Sequence, residues 1–333
     1  NRIADTAFNS EGRPSEELLN IAEQEVFRIS ESRLRDGGPI GVVPLLERAV
    51  ERVEHLYTEG SSITGLPTGF DDLDKKTAGL QNSDLIIIAA RPSVGKTALA
   101  VNIAEHAAMV GDRAILIFSM EMPSEQIVMR MLSSLGRIDQ TRMRTGAMQE
   151  DDWPRFTAAV SQLKDKKLYI DDTPALSPND IRTRARRVAR ESDGLGLVIV
   201  DYIQLMRGNG PFENRTNEIS EISRSLKALA KELRVPVVAL SQLNRGVESR
   251  PDKRPLMADL RESGAIEQDA DVILFIYRDE LYNPETQDQG IAEIIIGKQR
   301  NGPIGTTKLS YIGNLTKFES LAPGRYEDFD QFS

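Results

Sequence analysis

The sequence predicts an α/β fold, in which a mostly parallel central sheet is flanked by helices and preceded by an α-helical linker. Between Ile63 and Ser320 the chain has eight short apolar runs, and helical segments separate most of the earlier ones. Strands that alternate with helices are typical of parallel sheets. The runs are 85–90, 113–119, 167–171, 195–201, 235–241, 271–278, 292–296 and 306–312. No helical segment separates the last two, so we expect an antiparallel hairpin to close the sheet at 292–312.

Two amphipathic segments precede the sheet. In the first, apolar residues recur at helical spacing from Leu18 to Ile29. In the second, the stripe consists of Val43, Leu46, Val50, Val53 and Tyr57. This second helix either packs on its own domain or docks on a neighbouring subunit, and its glycine-rich flanks favour docking. The expected domains are a helical linker or remnant of an upstream domain at 1–36, the docking linker at 37–62, the α/β domain at 63–325 and a disordered acidic tail at 326–333.

Composition limits the class of protein. Of the 333 residues, 40% are hydrophobic and 28% are charged, as in a globular protein with one large domain. No apolar run reaches the ~18 residues of a membrane span. The absence of cysteine excludes disulfides and thiolate metal sites, and it is compatible with the reducing cytoplasm that we expect. A net charge of −9 argues against a surface that coats nucleic acid, so such binding is expected only at a local patch.

Residues 86–97, IIIAARPSVGKT, match a phosphate loop, G-x-x-x-x-G-K-[ST], except that Ala90 occupies the first glycine position. The apolar run predicts a strand and the alanine-rich stretch after Lys96 predicts a helix, which is the context that the motif requires. Backbone N–H groups around Gly95 would bind phosphate. Lys96 would reach the terminal phosphates of a bound nucleotide, and the Thr97 hydroxyl would bind Mg²⁺.

Two further strands end close to acidic residues. In the stretch GLVIVDY, four apolar residues lead to Asp201, which Tyr202 follows. A strand that ends in an aspartate is typical of the residue that holds magnesium beside a phosphate loop. A strand-terminal aspartate that caps a turn is the alternative. The stretch AILIFSMEM presents Glu121 beyond the carboxyl end of a strand, where ligands of open α/β sheets bind. Glu121 could orient an attacking water there, or it could cap the helix that begins near Pro123.

Polar residues at two later strand ends fit the same chemistry. The strand VPVVALSQLNR brings Gln242 to the carboxyl edge, where its amide could contact a γ-phosphate or serve only a structural role. Lys298 and Arg300 follow a strand two residues apart, which places both cations on one side of an extended segment. They are either an exposed basic pair or fingers for a neighbouring subunit's nucleotide.

Six segments taken together resemble the DnaB family of bacterial replicative DNA helicases. They are ARPSVGKT at 90–97, SMEMPSEQ at 119–126, VIVDYIQLM at 198–206, VVALSQLNR at 237–245, DLRESGAIEQDAD at 259–271 and IIIGKQRNGPIG at 294–305. The resemblance covers roughly residues 63–320. It implies a RecA-like phosphate-loop NTPase that assembles as a ring of six, hydrolyses ATP at subunit interfaces, translocates on single-stranded DNA and unwinds the duplex at the replication fork.

The resemblance also assigns roles to residues. Glu121 would be the base that activates water, Gln242 the sensor, and Lys298 with Arg300 the fingers that act in trans. The residues implied to bind nucleotide are Ser93, Val94, Gly95, Lys96, Thr97, Ala98 and Asp201, with Thr97 and Asp201 also holding Mg²⁺.

The same resemblance places two segments in the central channel of the ring. Arg261, Glu262 and Gly264 would lie against the DNA backbone, and residues 207–216 would form a second, irregular loop. The implied partners are single-stranded DNA, further copies of the chain in a homo-hexamer, and a helicase loader. Because only residues 1–62 precede the α/β domain, primase is expected to bind only through an upstream domain absent here.

Other functions fit parts of the pattern. A recombinase of the RecA class shares the core, but such proteins polymerise through an extended tether and not through an amphipathic helix like that at 43–57. An ATP-binding switch that hydrolyses little is disfavoured by Glu121 and by the pair Lys298 and Arg300. A small-molecule kinase would need a lid or an acceptor pocket, and no segment of the sequence indicates either.

Overall fold

The computed structural model describes residues 40–59, 63–209, 212 and 214–321. The chain separates into two units, with the division between Ser61 and Ser62. The first unit contains helix α1, Val42–Glu59, and the apolar stripe of this helix is exposed. The helix predicted at 43–57 is therefore confirmed, whereas its docking and the domain bounds stay predictions. The predicted helix within 1–36 and the predicted tail at 326–333 lie outside the described residues.

The second unit alternates helices and strands. Its helices are α2 (Asp71–Thr77), α3 (Lys96–Val110), α4 (Ser124–Gly136), α5 (Gln140–Thr145), α6 (Asp152–Lys164), α7 (Pro178–Glu191), α8 (Arg215–Leu233) and α9 (Gly264–Asp269). Its strands are β1 (Leu85–Ala90), β2 (Ala114–Ser119), β3 (Leu168–Asp171), β4 (Leu195–Asp201), β5 (Val237–Gln242), β6 (Val272–Tyr277), β7 (Ile291–Gln299), β8 (Gly305–Ile312) and β9 (Lys317–Ser320). No helix in the described part of the chain is long and apolar enough to cross a membrane.

The strands form one sheet in the order β3-β2-β4-β5-β1-β6-β7-β8-β9. Strands β1 to β6 are parallel, and β7, β8 and β9 continue the sheet in antiparallel fashion. Both β1 and β2 are buried along their whole length. Such continuous apolar runs are expected for parallel strands that have both faces covered by helices.

The hydrophobic core has one layer on each face of the sheet. Side chains alternate along β1, so Ile86 and Ile88 lie in one cluster with Leu99 of α3. Leu85 and Ile87 lie in the other cluster, with residues of α7 and α8. The two layers fix the sheet between α3 on one side and α8 on the other, as the period of two in a strand requires.

The structure confirms the predicted α/β class, the parallel sheet and the antiparallel hairpin of β7 and β8. Strand β9 was missed. It has four residues, KFES, of which Phe318 alone is a buried apolar residue, so it carries no apolar run that would indicate a strand. Strand β7 also extends to Gln299, beyond the predicted end of the run at residue 296.

A buried polar cluster connects α3 to α4 and β9. Ser134 Oγ donates a 2.7 Å hydrogen bond to Glu105 Oε2, and Asn102 Nδ2 lies 3.3 Å from the same oxygen. Asn102 Oδ1 accepts a 2.8 Å hydrogen bond from the N–H of Phe318. Burial raises the pKa of Glu105 to about 8, against the opposing effect of Ser134 and Lys317. Glu105 is therefore mainly protonated at neutral pH.

Replacement of Glu105 by glutamine is expected to change how stability depends on pH. Because the unfolded chain releases the proton near the ordinary value of 4.5 and the folded chain near about 8, the free energy of unfolding falls between these values. Glu105→Gln does not titrate, so its unfolding free energy relative to the parent should increase from about pH 5 to about pH 8. Urea unfolding measures this difference, with exposed Glu125→Gln as the control. If the difference in unfolding free energy between Glu105→Gln and the parent does not change with pH, the prediction is wrong.

Candidate nucleotide-binding site

The carboxyl ends of four adjacent parallel strands bring the predicted nucleotide residues together. Strands β2, β4, β5 and β1 are neighbours in the sheet. Ser119 at the end of β2 pairs with Asp201 at the end of β4, and Ala90 at the end of β1 pairs with Gln242 at the end of β5. Ala90 belongs to the strand, so its extended backbone does not require glycine. Glu121 comes two residues after Ser119 and therefore lies at the same edge.

The phosphate loop connects β1 to α3. Ser93 and Gly95 have φ values of 64° and 120°, and the second of these favours glycine strongly. A Cβ atom on Gly95 would lie 2.9 Å from Phe318 Cζ. Arg278 Nη1 donates a 3.2 Å hydrogen bond to the carbonyl oxygen of Val94. The loop is thus held from one side by β9 and from another by the residue that follows β6.

The first turn of α3 places Thr97 against Asp201. Thr97 Oγ1 donates a 2.8 Å hydrogen bond to Asp201 Oδ2. Asp201 is only 2% exposed, and its Oδ1 has no hydrogen-bond partner among the described residues. Burial raises the pKa of Asp201, whereas the Thr97 hydrogen bond and then the charge of Lys96 lower it. A buried carboxylate with one unpaired oxygen is chemically suited to a cation.

Lys96 lies beside the same carboxylate. Its Nζ is 4.7 Å from the centre of the Tyr202 ring, a cation–π arrangement. Burial lowers the pKa of Lys96, and the charges of Asp201 and Glu121 oppose this effect. The ammonium group is thus placed among two carboxylates and an aromatic face. Ala98 follows in the same helical turn and is buried.

Glu121 is exposed and does not cap α4. The N-cap position of α4 is Pro123, which provides no side-chain acceptor. The N–H of Ser124 instead donates a 2.8 Å hydrogen bond to Asp172 Oδ2. The alternative of a purely capping role for Glu121 is therefore wrong, and its carboxylate remains at the edge beside Lys96 and Asp201.

Arg130 of α4 belongs to the site and was missed by the sequence analysis. Burial lowers its pKa, while Tyr311, Asp201 and Glu121 act in the opposite direction. Its Nε is buried and has no hydrogen-bond partner in the described structure. The one available signal was the position of this arginine beside Met131, on the buried side of an amphipathic helix.

Gln204, also missed, holds the end of β5. Gln242 donates its backbone N–H to Gln204 Oε1 at 3.2 Å, and Gln204 Nε2 donates to Ser241 Oγ at 3.0 Å. Arg215 Nη2 donates a 2.7 Å hydrogen bond to the carbonyl oxygen of Gln204. Gln204 therefore connects β5 to the short 3₁₀ turn after Asp201 and to the beginning of α8. No periodic pattern marks this glutamine in the sequence, so its role depends on tertiary packing.

Lys298 and Arg300 lie at the opposite edge of the sheet. Strand β7 runs antiparallel to β6, and Lys298 pairs with Ile273 near the beginning of β6. Val272 in turn pairs with Ile86, near the beginning of β1. At about 3.3 Å per residue, the beginning of β1 is roughly 17 Å from its carboxyl end. The structure therefore does not bring these two cations to the phosphate loop of their own chain.

Comparison with known proteins identifies the relatives of this chain. The profile of the DnaB-like helicase C-terminal domain matches residues 65–320. The replicative DNA helicase DnaB of Buchnera aphidicola subsp. Acyrthosiphon pisum (strain APS) is 56% identical over 98% of this chain and 72% of the relative. The replicative DNA helicase DnaB of Haemophilus influenzae is also 56% identical, over 98% of this chain and 71% of the relative.

Two solved structures share the fold. One is an ATPase domain that superimposes with a TM-score of 0.79 at 39% identity, over 83% of this chain and 98% of that one. The other is a DnaB-like replicative helicase whose structure was described with its interactions with primase. It superimposes with a TM-score of 0.78 at 36% identity, over 96% of this chain and 75% of that one. The chain belongs to the DnaB-like helicase C-terminal domain family. The RecA-like fold and the prediction of an ATP-dependent replicative DNA helicase are thereby confirmed.

The segments predicted to contact DNA in this DnaB-like domain differ in structure. The backbone of Arg261 and Glu262 lies in a 3₁₀ turn, Met257–Ser263, and Gly264 begins α9. In the second segment, the described residues 207–209, 212 and 214 belong to no helix or strand, and α8 begins at Arg215. The contact of both segments with DNA stays a prediction, as do the individual roles of the nucleotide residues.

Gly95→Ala is expected to destabilise the fold by about 1–3 kcal/mol, because alanine is strained at a φ of 120° and meets Phe318. Gly146→Ala is the matched control, since Gly146 has a φ of 72° and open space around its Cβ position. Urea unfolding should show a larger cost at Gly95. In a Phe318→Ala background, the loss of unfolding free energy caused by Gly95→Ala should fall towards the loss caused by Gly146→Ala. If the loss at Gly95 is unchanged in that background, contact with Phe318 is not its cause.

Proposed function

We propose that this DnaB-like domain works in a homo-hexameric ring, in which ATP bound between neighbouring subunits drives translocation on single-stranded DNA at the replication fork. The position of the charged groups carries the proposal. Lys96, Asp201 and Glu121 lie at the carboxyl edge of the sheet, whereas Lys298 and Arg300 lie at its amino edge. In a head-to-tail ring, one edge of a subunit faces the opposite edge of the next. The two cations of one subunit then complete the site of its neighbour.

ATP with Mg²⁺ is the nucleotide that this edge fits best. Backbone N–H groups from Ser93 to Ala98, at the beginning of α3, would bind the phosphates. Lys96 would contact the terminal phosphates, and Thr97 with Asp201 would hold the metal. The Oδ1 of Asp201 supports this assignment because it is a buried carboxylate oxygen without a partner among the described residues, and a cation would satisfy it. When bound, the ion would neutralise charge that develops on the transferred phosphoryl group.

The chain's own side chains would then perform hydrolysis. Glu121 would orient the attacking water and accept its proton, from the exposed position that a water can reach. Arg130 would add a positive charge beside Asp201 and Glu121. Gln242 would contact the γ-phosphate. Its backbone hydrogen bond to Gln204 gives a direct physical link from the phosphate to the segment at 207–216.

Single-stranded DNA would pass through the ring beside Arg261, Glu262, Gly264 and residues 207–216. Few contacts from each subunit are needed when six subunits surround the strand, which is compatible with a net charge of −9. We propose a cytoplasmic protein that receives a helicase loader. Primase is a partner of the relative whose solved structure includes that interaction, and here it would bind through an upstream domain.

Arg300→Ala tests the proposed interface site. The variant should lose on the order of 10³-fold or more in ATP turnover, as expected for loss of an arginine finger, while it still binds nucleotide. Mixing it with Lys96→Ala subunits should restore part of the turnover, because some interfaces then combine an intact phosphate loop with an intact finger. Steady-state ATPase rates across mixing ratios measure this. No recovery at any ratio, with mixed rings shown by sedimentation, would exclude fingers that act in trans.

Arg261→Ala tests the proposed DNA path. Each lost phosphate contact should reduce the slope of log affinity against log salt by about 0.7 for a single strand. Binding of a fluorescent oligonucleotide, titrated at several salt concentrations, measures that slope. Arg187→Ala is the control, because Arg187 is an exposed arginine paired with Glu191 on α7. An unchanged slope for Arg261→Ala would remove this residue from the DNA path.

A further inference from the structure

A cluster of charged groups surrounds the two cations at the amino edge of the sheet. We call it the amino-edge cluster, and its members are Asp84, Lys227, Asp271, Lys298 and Arg300. Lys227 Nζ forms an ion pair with Asp271 Oδ2 and lies 4.0 Å from Asp84 Oδ1. Burial, and next the charge of Asp271, raise the pKa of Asp84 to about 6. The groups are therefore close enough to influence one another strongly.

Asp271 is the buried centre of the amino-edge cluster, at 5% exposure. Its Oδ2 accepts a 2.8 Å hydrogen bond from the N–H of Leu85, the first residue of β1. Its Oδ1 lies 3.4 Å from Arg300 Nε, and its carbonyl oxygen accepts a 3.0 Å hydrogen bond from the N–H of Arg300. Arg300 is thus attached to Asp271 through both its main chain and its side chain. A carboxylate so buried is an effective orienting group because the protein fixes its position.

Both cations also bind the end of α9. Lys298 Nζ donates hydrogen bonds to the carbonyl oxygens of Glu267 at 2.5 Å and Ala270 at 2.7 Å. Arg300 Nη2 donates a 2.7 Å hydrogen bond to the carbonyl oxygen of Gln268. The last carbonyls of a helix lack partners within the helix, and cations are favourable there. The two side chains therefore cap α9 and are held at the same helix end.

An irregularity in β7 directs Lys298 towards α9. The pairing of β6 with β7 shifts between Ile273 and Leu274, so that Gly297 is passed over in the register. A Cβ atom on Gly297 would lie 2.5 Å from Phe275 Cε2, so only glycine allows this close approach. Such bulges change the direction of the side chains that follow them.

We propose that Asp271 is the positioning residue of the finger pair, and that it fixes Arg300 and Lys298 on α9 in the orientation from which they serve the neighbouring subunit. The inference rests on the proposed function, because it needs the pair to act in trans. Helix α9 begins at Gly264, next to the segment predicted to contact DNA. The finger pair and that segment are therefore at the two ends of one short helix, so a shift of the DNA segment is passed to the fingers.

Asp271→Asn keeps the size of the side chain and removes its charge. Misplacement of a group that acts in the reaction can cost roughly 10²-fold, so we expect a fall of that order in kcat with little change in nucleotide affinity. The variant should recover turnover when mixed with Lys96→Ala subunits and should not recover when mixed with Arg300→Ala. In the double variant with Arg300→Ala, Asp271→Asn should have no further effect. Asp112→Asn, the same carboxylate-to-amide change at an exposed residue outside the cluster, should retain turnover.

The alternatives give different results. Turnover close to that of the parent, or a loss that Lys96→Ala subunits do not restore, would overturn the role of Asp271 while leaving the fingers intact. Failure of Arg300→Ala to recover with Lys96→Ala would overturn the proposed interface site, and the positioning role with it. If Asp271→Asn does not fold, the double variant Asp271→Asn with Lys227→Met removes both charges of this ion pair together and should show the same pattern, with Lys227→Met alone as its control.

Discussion

The buried carboxylate of Asp201 is the constraint on which the rest of the nucleotide site depends. Removing a charge from water is costly unless partners replace the lost hydration. Thr97 satisfies one oxygen at 2.8 Å, and among the cations Lys96 has the largest effect on the pKa of Asp201. Both partners lie in the first turn of α3, so they meet Asp201 only because β4 and β1 end at the same edge of the sheet. The remaining oxygen is unpaired among the described residues and is therefore available to a cation.

The length of a strand explains why one chain would not complete the reaction alone. Lys298 and Arg300 lie near the beginnings of β6 and β1, and the phosphate loop lies at the other end of β1. No change of side-chain rotamer spans a distance of roughly 17 Å, since an extended arginine reaches less than half of that. In the proposed ring, the same separation becomes useful because it exposes the phosphate loop on one side of a subunit and the cations on the other.

The sequence predicted those parts of the site that local patterns encode. Lys96 and Thr97 belong to a recognisable phosphate loop after one apolar run, and Asp201 ends another apolar run, so their meeting at one edge could be expected. Arg130 and Gln204 could not be found in this way, because each becomes part of the site through packing of a helix or turn with no distinctive spacing. Strand β9 is the corresponding case in the fold, because no local sequence pattern predicts it. Its four residues contain a single buried apolar side chain, yet Phe318 lies next to the Cβ position of Gly95 and its N–H binds Asn102 of α3.

The attachment of the finger pair to α9 sets an energy scale for the proposed motor. Three short hydrogen bonds join Lys298 and Arg300 to carbonyl oxygens of Glu267, Gln268 and Ala270. Hydrogen bonds with a charged partner contribute about 1.5–3 kcal/mol each. Contacts of the same cations with a neighbour's phosphate would be stronger, because the phosphate is charged and the carbonyl oxygens are neutral. The carbonyl contacts would therefore set the position of the two cations, and a displacement of the DNA segment at the beginning of α9 would move that position.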